Sequence, residues 1–177
     1  YAVGALARFN LNFAKLHPLA KDTASALGIK PKCINPYLNT AAQLVESVHC
    51  LEDSIKIVEG LKQKGVDRSE AIVIGVNEQG RIPVQAGNGV GAIEVPRGIL
   101  FHNYETDPAG VITKANCIIP TNQNLANIEH DMEKLVPETL AKNMSDEDIT
   151  LALEMLVRAY DPCISCSTHL LDVKFKR

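Results

Sequence analysis

A long apolar stripe of helical period is the feature that most constrains the fold of this 177-residue chain. Asn35 and Pro36 are a typical N-cap and first helical residue, and Lys64-Gly65 is a typical helix end. Between them, apolar residues recur at spacings of three and four, as Leu44, Val48, Leu51, Ile55, Val58 and Leu61. This pattern predicts one long amphipathic helix over residues 36–64.

The sequence around this helix alternates between helical and β-prone stretches. Residues 5–16 and 19–28 are predicted to form shorter helices. Across residues 71–120, seven glycines interrupt the β-prone runs "AIVIGV", "GILFHNYE" and "VITKANCIIP", and "TDPAG" predicts a hairpin turn between the last two.

Helical patterns return after this glycine-rich region. Thr121 or Asn122 is suited to cap a helix that runs towards Asn143, and Ser145 with Asp148 resembles a capping box for the next helix. The sequence therefore predicts a mainly α fold with a small β insert, an α+β architecture.

Net charge and cysteine content limit the classes of partner and the cellular compartment that we expect for this chain. The formal net charge of -3 gives no electrostatic reason to expect nucleic acid or an anionic membrane as a partner. No apolar run approaches the roughly 20 residues needed to span a bilayer, and the first residues, "YAVGALARFN", do not resemble a secretory leader. Five unevenly spaced cysteines indicate reduced, intracellular thiols, with Cys33, Cys50 and Cys117 expected to be buried small hydrophobes.

The densest group of potential metal ligands is "DPCISCSTH", residues 161–169. Asp161 can cap a short helix with Pro162 at its first position, which places Cys163 in the first turn, where the helix dipole favours a thiolate. If the turn continues, Cys163, Cys166 and His169 lie along one side of it. Two thiolates and an imidazole suit zinc, nickel, copper or iron.

Several familiar uses of this spacing fit poorly. A structural zinc site normally has four protein ligands, and no second Cys/His pair of suitable spacing occurs in the sequence. Haem attachment needs a histidine directly after the second cysteine, and a thioredoxin-like pair would open a long helix after a strand. From the residues alone, a metal site, a redox pair and a chance pair all stay open.

The wider string, with a short tail behind it, resembles the C-terminal signature of nickel–iron hydrogenase large subunits. Three more stretches agree in order along the chain. "YAVGALARFN" resembles the family's "VGPLAR" element, with Ala5 where proline is usual; "AIEVPRGILFHNYE" is similar to E-[AV]-P-R-G-x-L-x-H; and "CIIPTNQN" is similar to V-P-T-T-x-N. The "SCSTH" form and "NQNLANIEHD" look closest to the cytoplasmic group that couples hydrogen to soluble electron carriers.

The resemblance implies a nickel–iron centre held by four cysteines, with carbon monoxide and cyanide on the iron. Cys163 would be a terminal nickel ligand, and Cys166 would bridge nickel and iron. Thiolates donate strongly to nickel and tolerate a change in its oxidation state. The implied reaction is the reversible heterolytic splitting of hydrogen.

The resemblance also implies residues around the metals. Arg97, backed by Pro96, would offer fixed donors to cyanide nitrogens. Thr121, which follows Pro120, would give its hydroxyl to a second cyanide, although its alternative role is the helix N-cap.

The histidines differ in what the resemblance implies for them. His169, with the backbone carbonyl of Cys117, would bind a separate magnesium or iron ion. His102 matches the family pattern without an evident task, and the remaining histidines are expected to be structural.

The resemblance further implies a single domain over residues 1–169, followed by a removable extension, residues 170–177. A maturation protease of this family cuts after the position of His169 once nickel is inserted. The family's other cysteine pair, in an R-x-C-G-x-C element, is absent, and the chain begins with Tyr1. We therefore expect a C-terminal portion of a larger subunit that is inactive alone. Its expected partners are the N-terminal half of that subunit, a carrier-reducing subunit, and an iron–sulfur small subunit.

Three alternatives compete with this interpretation. The first is an interaction module that holds zinc between two chains through the terminal Cys/His cluster. The second is a quinone-reactive relative in a respiratory complex, which the presence of Cys163 and Cys166 argues against because those relatives lack the nickel cysteines. The third, the membrane-bound energy-converting group, often ends without the histidine and the tail.

Overall fold

The computed structural model describes residues 1–67, 82–167 and 171–176. Its helices and strands run in the order α1 (Ala5–Asn12), α2 (Pro18–Ala26), α3 (Asn39–Lys64), β1 (Gly87–Val95), β2 (Gly98–Thr106), β3 (Ile112–Ile118), α4 (Pro120–Ala141), α5 (Asp146–Ala159) and α6 (Ile164–Ser167). Short 3-10 turns, Phe13–Lys15 and Pro36–Leu38, precede α2 and α3. The predicted α+β class, mainly helical with a small β insert, is confirmed.

The long helix α3 begins and ends close to where the sequence predicts. The Asn35 side chain accepts a hydrogen bond from the Tyr37 N–H at 3.1 Å, but it caps the 3-10 turn, and the α-helix itself begins at Asn39. Gly65 ends the helix with φ of 81°, in the region that favours glycine.

The core of the helical layer lies between α1, α2 and the first half of α3. Its buried members are Ala5, Phe9, Leu16, Ala20, Ala24, Ile29, Ala42 and Val45. The apolar stripe on α3 packs here only in part: Val48 contacts this core, whereas Leu51 is 65% and Ile55 58% exposed. The second half of the stripe is therefore an apolar face that the described residues leave uncovered, which is a surface that another polypeptide segment could cover.

The β insert is a three-stranded antiparallel sheet in the order β1-β2-β3. The predicted hairpin turn is confirmed: the Asp107 carboxylate accepts from the Ala109 and Val111 N–H groups at 2.9 and 3.0 Å, and Gly110 has φ of 79°. Strand β1 was not predicted, because its glycines lower the β propensity of the segment. The run "AIVIGV" lies outside the described residues.

The two long helices after the sheet begin differently. In α5, Ser145 accepts from the Asp148 N–H at 3.1 Å, which confirms the capping box. In α4, the N-cap position belongs to Ile119, with Pro120 as the first helical residue, so the prediction that Thr121 or Asn122 caps this helix is wrong. Among the described residues, no helix combines the length and apolar character needed to cross a membrane.

Candidate metal centre

A tight turn between β1 and β2 carries Arg97. Val95 pairs with Gly98, so Pro96 and Arg97 form a two-residue connection. Gly98 has φ of 134°, and a Cβ there would lie 2.5 Å from Cγ2 of Val3. Only glycine allows this approach, so the N-terminal segment packs directly against the turn.

Helix α4 fastens the N-terminal segment in place. Asn124 is 4% exposed, accepts from the Val3 N–H at 3.0 Å and donates to the Val3 carbonyl at 3.0 Å. One residue earlier, Gln123 donates to the Ile99 carbonyl on β2 at 2.7 Å. The first turns of α4 therefore hold the N-terminus and the start of β2 together.

Arg97 reaches across to the C-terminal motif. Its Nε donates to the Asp161 carbonyl at 2.8 Å, and its terminal nitrogen lies 3.2 Å from Oδ1 of the same residue. Gln43 donates to the other carboxylate oxygen at 3.0 Å. Asp161 has φ of 50° and ends the segment after α5. Its carboxylate binds Arg97 and Gln43, so its predicted role as the cap of the last helix is wrong.

Thr121 contacts the first cysteine of the motif. The Cys163 N–H donates to Oγ1 of Thr121 at 3.1 Å, and Thr121 is only 3% exposed. Because a hydroxyl accepts through a lone pair, it keeps its own hydrogen for donation. Cys163 directly precedes α6 instead of lying in its first turn, and its carbonyl accepts from the Cys166 N–H at 3.1 Å.

Cys163 and Cys166 converge on one point. Their Cα atoms are 5.3 Å apart and their sulfurs are joined in a disulfide, which differs from the expected reduced thiols. The spacing explains this, because one tight turn brings the two side chains within bonding reach. Sulfurs placed so close can equally serve one metal site. His169 lies outside the described residues, and across residues 1–67, 82–167 and 171–176 no cluster of three or more His, Cys, Asp or Glu is arranged to hold a metal ion.

The remaining cysteines are not the buried hydrophobes that were expected. Cys33 is half-buried, while Cys50 and Cys117 are exposed. Cys117 lies on β3 with its sulfur 3.5 Å from the Tyr104 hydroxyl and 3.4 Å from Nδ1 of His102. The hydrogen bond with Cys117 raises the pKa of Tyr104. The Cys117 side chain is thus held by neighbours within the sheet.

Sequence reasoning missed Arg8, which lies on α1 behind the turn. Its guanidinium contacts Glu46 and Glu94 and the carbonyls of Val95 and Pro96. The hydrogen bond to Glu46 is the largest of the effects that raise the pKa of Arg8. The signal was present as the last residue of "GALAR", one of the family-like stretches.

Known proteins resemble this chain over nearly its whole length. The sequence profile of the nickel-dependent hydrogenase family matches residues 1–169. One F420-non-reducing hydrogenase protein of Methanothermobacter marburgensis is 37% identical over 136 residues, which are 76% of this chain and 26% of that protein. The alpha subunit of sulfhydrogenase 2 of Pyrococcus furiosus is 33% identical over 173 residues, 97% of this chain and 39% of that protein.

A solved structure shows a similar fold. It is an NAD+-reducing [NiFe]-hydrogenase in the H2-reduced state, with a TM-score of 0.69 and 28% identity, and the match covers 96% of this chain and 36% of that one. The beta subunit of the NAD-reducing hydrogenase HoxS of Cupriavidus necator is 31% identical over 96% of this chain and 34% of that protein. The chain thus spans between a quarter and two fifths of the length of these relatives.

Proposed function

Because the chain belongs to the nickel-dependent hydrogenase family, we propose that it is the C-terminal, nickel-binding part of a hydrogenase large subunit. The whole subunit would split hydrogen reversibly into protons and electrons. One observation carries the proposal: the two hydrogen-bonded contacts Arg97–Asp161 and Thr121–Cys163 bring separate sequence elements together around the cysteine pair. Neither contact follows from spacing along the chain, and both surround the residues expected to bind metal.

The donor set fits half of a bimetallic thiolate centre. Cys163 and Cys166 supply two convergent sulfurs, which suit nickel and iron. The other two sulfurs would come from an R-x-C-G-x-C element that these 177 residues do not contain. This chain by itself is therefore proposed to be inactive and to need the N-terminal half of the subunit.

Each residue near the cysteines has a defined physical task in this proposal. A nickel–iron pair, when bound, supplies the Lewis acid that polarises hydrogen and the electron acceptor. Asp161 holds the Arg97 guanidinium, which presents fixed donors to anionic iron ligands such as cyanide. Thr121 fixes the backbone of Cys163 and offers its hydroxyl hydrogen to a second such ligand.

Further assignments complete the proposed subunit. Pro96 and Pro120 shape the segments that carry Arg97 and Thr121, and His169 with the carbonyl of Cys117 would hold a magnesium or iron ion. Residues 170–177 would be removed by a maturation protease after nickel insertion. Electrons would pass through an iron–sulfur small subunit to a carrier-reducing subunit, and from there to a soluble carrier in the cytoplasm.

The deciding experiment replaces Cys163 with serine in the complete, matured enzyme. We expect nickel content, measured by inductively coupled plasma mass spectrometry, and hydrogen-dependent dye reduction to fall below a tenth of the unmodified enzyme. The matched control is Cys50→Ser, an exposed cysteine on α3 that should leave both quantities unchanged. Retention of nickel together with full turnover in Cys163→Ser would refute the proposal.

The same metal analysis separates the second candidate function. A zinc-holding interaction module would carry zinc and no nickel in the full-length protein, with zinc lost in Cys163→Ser. The observation behind this candidate is that two sulfurs converge within the described residues, which could supply half of a zinc site shared between two chains.

A further inference from the structure

The side chain of Arg8 connects two carboxylates to the backbone of the turn that carries Arg97. We infer that Arg8 is a positioning residue for Arg97: it fixes the Val95–Pro96 backbone and thereby the direction in which the Arg97 side chain leaves the turn. This inference rests on the proposed function, in which the Arg97 guanidinium serves the metal centre.

The hydrogen bonds of Arg8 use its whole donor capacity. A guanidinium has five N–H groups in a fixed planar fork. Nε and one terminal nitrogen bind the Glu46 carboxylate as a bidentate pair, at 2.6 and 2.7 Å. The other terminal nitrogen binds Glu94 and the Val95 carbonyl, the latter at 3.0 Å, and the Pro96 carbonyl accepts at 2.8 Å. All five donors therefore have acceptors, and the guanidinium has one defined orientation.

Two of those acceptors are the carbonyls directly before Arg97. A peptide carbonyl held in place fixes the plane of the peptide unit that follows it. Holding the Val95 and Pro96 carbonyls therefore fixes both peptide planes that lead into Arg97. On the other side of the turn, Val3 packs against Gly98 so closely that a Cβ there would lie 2.5 Å from Val3 Cγ2. The turn is thus held from two sides, and Arg97 is directed onto Asp161.

Lysine cannot reproduce this arrangement. Its ammonium carries three donors on a flexible stem and makes no bidentate fork. It could neutralise the Glu46 and Glu94 carboxylates, but it could not serve both carboxylates and both carbonyls together. Arg8→Lys therefore keeps the charge and removes the positioning, which separates the two roles.

The first test is hydrogen–deuterium exchange of the full-length protein carrying Arg8→Lys. We expect the amides of Val95, Arg97, Gly98, Ile99, Asp161 and Cys163 to exchange about tenfold faster, as the loss of one or two hydrogen bonds predicts. The matched control is Arg158→Lys, because the Arg158 side chain pairs with Glu154 within α5 at 2.8 Å, and the substitution leaves in place the Arg158 carbonyl that accepts from the Asp161 N–H at 2.9 Å. If Arg8→Lys prevents assembly, Glu94→Ala provides the same test through one acceptor of Arg8. Unchanged exchange at residues 95–99 in the folded variant would overturn the inference.

The second test is a double-mutant cycle on turnover in the assembled enzyme. If Arg8 acts through Arg97, Arg8→Lys should lower kcat about ten- to a hundredfold, the range for a misplaced group. In an Arg97→Lys background it should lower kcat less than about threefold. Effects that multiply instead would mean that Arg8 acts independently of Arg97, and the inference would be wrong. The two proposals can fail separately. If the nickel proposal is wrong, the full-length enzyme will contain no nickel, while Arg8→Lys will still speed amide exchange at the turn.

Discussion

Replacement of Thr121 by valine tests whether this hydroxyl supports the cysteine motif. Valine keeps the shape of the side chain and removes the oxygen that accepts from the Cys163 N–H at 3.1 Å. Thr121 is 3% exposed, so water has little access from the side of α4. The variant therefore leaves one backbone donor without its partner and creates almost no cavity.

The expected cost follows from that geometry. An unsatisfied buried donor costs about 1–3 kcal/mol, and the lower end applies where water can reach the group. Cys163 is half-buried, so we expect about 1 kcal/mol. That free energy corresponds to an approximately fivefold increase in the population of locally open states around Cys163.

The assay is hydrogen–deuterium exchange of the amide of Cys163 in the full-length protein. Thr121→Ser is the informative companion variant, because it retains the hydroxyl that accepts from the Cys163 N–H and loses only a methyl group. Thr139→Val is the matched control: Thr139 is also 3% exposed, but its hydroxyl donates to the Val136 carbonyl within α4 at 2.8 Å.

We expect faster exchange at Cys163 in Thr121→Val, and no change there in Thr121→Ser or Thr139→Val. Equal exchange in Thr121→Val and the unmodified protein would show that the hydroxyl does not hold the motif. Faster exchange in all three variants would mean that general destabilisation, and not this hydrogen bond, is being measured.

Two further predictions concern the turn and α5. Gly98→Ala should lower the free energy of unfolding by about 2 kcal/mol or more, because φ of 134° is strained for alanine and its Cβ would meet Val3. In the control Gly89→Ala a Cβ has nothing within 4 Å, so the free energy of unfolding should change by less than about 0.5 kcal/mol. Equal thermal midpoints for the two variants would contradict this prediction. Burial, and next the hydrogen bond to Asp131 at 2.6 Å, raise the pKa of Tyr160. The stability from this retained proton is present below pH of about 10, the unfolded value, and is lost as pH rises above it. Tyr160→Phe should therefore unfold at a lower temperature at pH 8, and the gap to the unmodified protein should narrow above pH 10; a constant gap would refute the assignment.

Local signals predicted the elements of this fold that depend on local chemistry. The glycine at position 65 and the Ser145 capping box lie where the sequence places them, and Asn35 caps the 3-10 turn that leads into α3. Strand β1 was not predicted because its conformation depends on pairing with β2, while its own glycines lower the β propensity of the segment. The sequence predicted α3 as an amphipathic helix but not which part of its apolar face is exposed, because an amphipathic period does not say which neighbour covers which part of the face.

The sequence supplied candidate residues for the site but not their contacts. The family-like stretches supplied Arg97, Thr121 and Cys163, which the structure places near one another. The sequence gives no sign that Asp161 receives Arg97 instead of capping a helix, because a cap and a salt-bridge partner use the same carboxylate. Arg8 was missed because its role depends on the backbone carbonyls that it contacts, and the sequence does not show which carbonyls lie near a single arginine.

The contacts that build the site join positions far apart along the chain. Val3 and Asn124 are separated by 121 residues, and Arg97 and Asp161 by 64. At 5–20 residues per second on the ribosome, Val3 would wait roughly 6–24 s for its partner to be synthesised. Helices α1 to α3, whose contacts are closer in sequence, can pack during that interval. Translation order therefore places the contacts of the cysteine-bearing segment after the packing of α1 to α3.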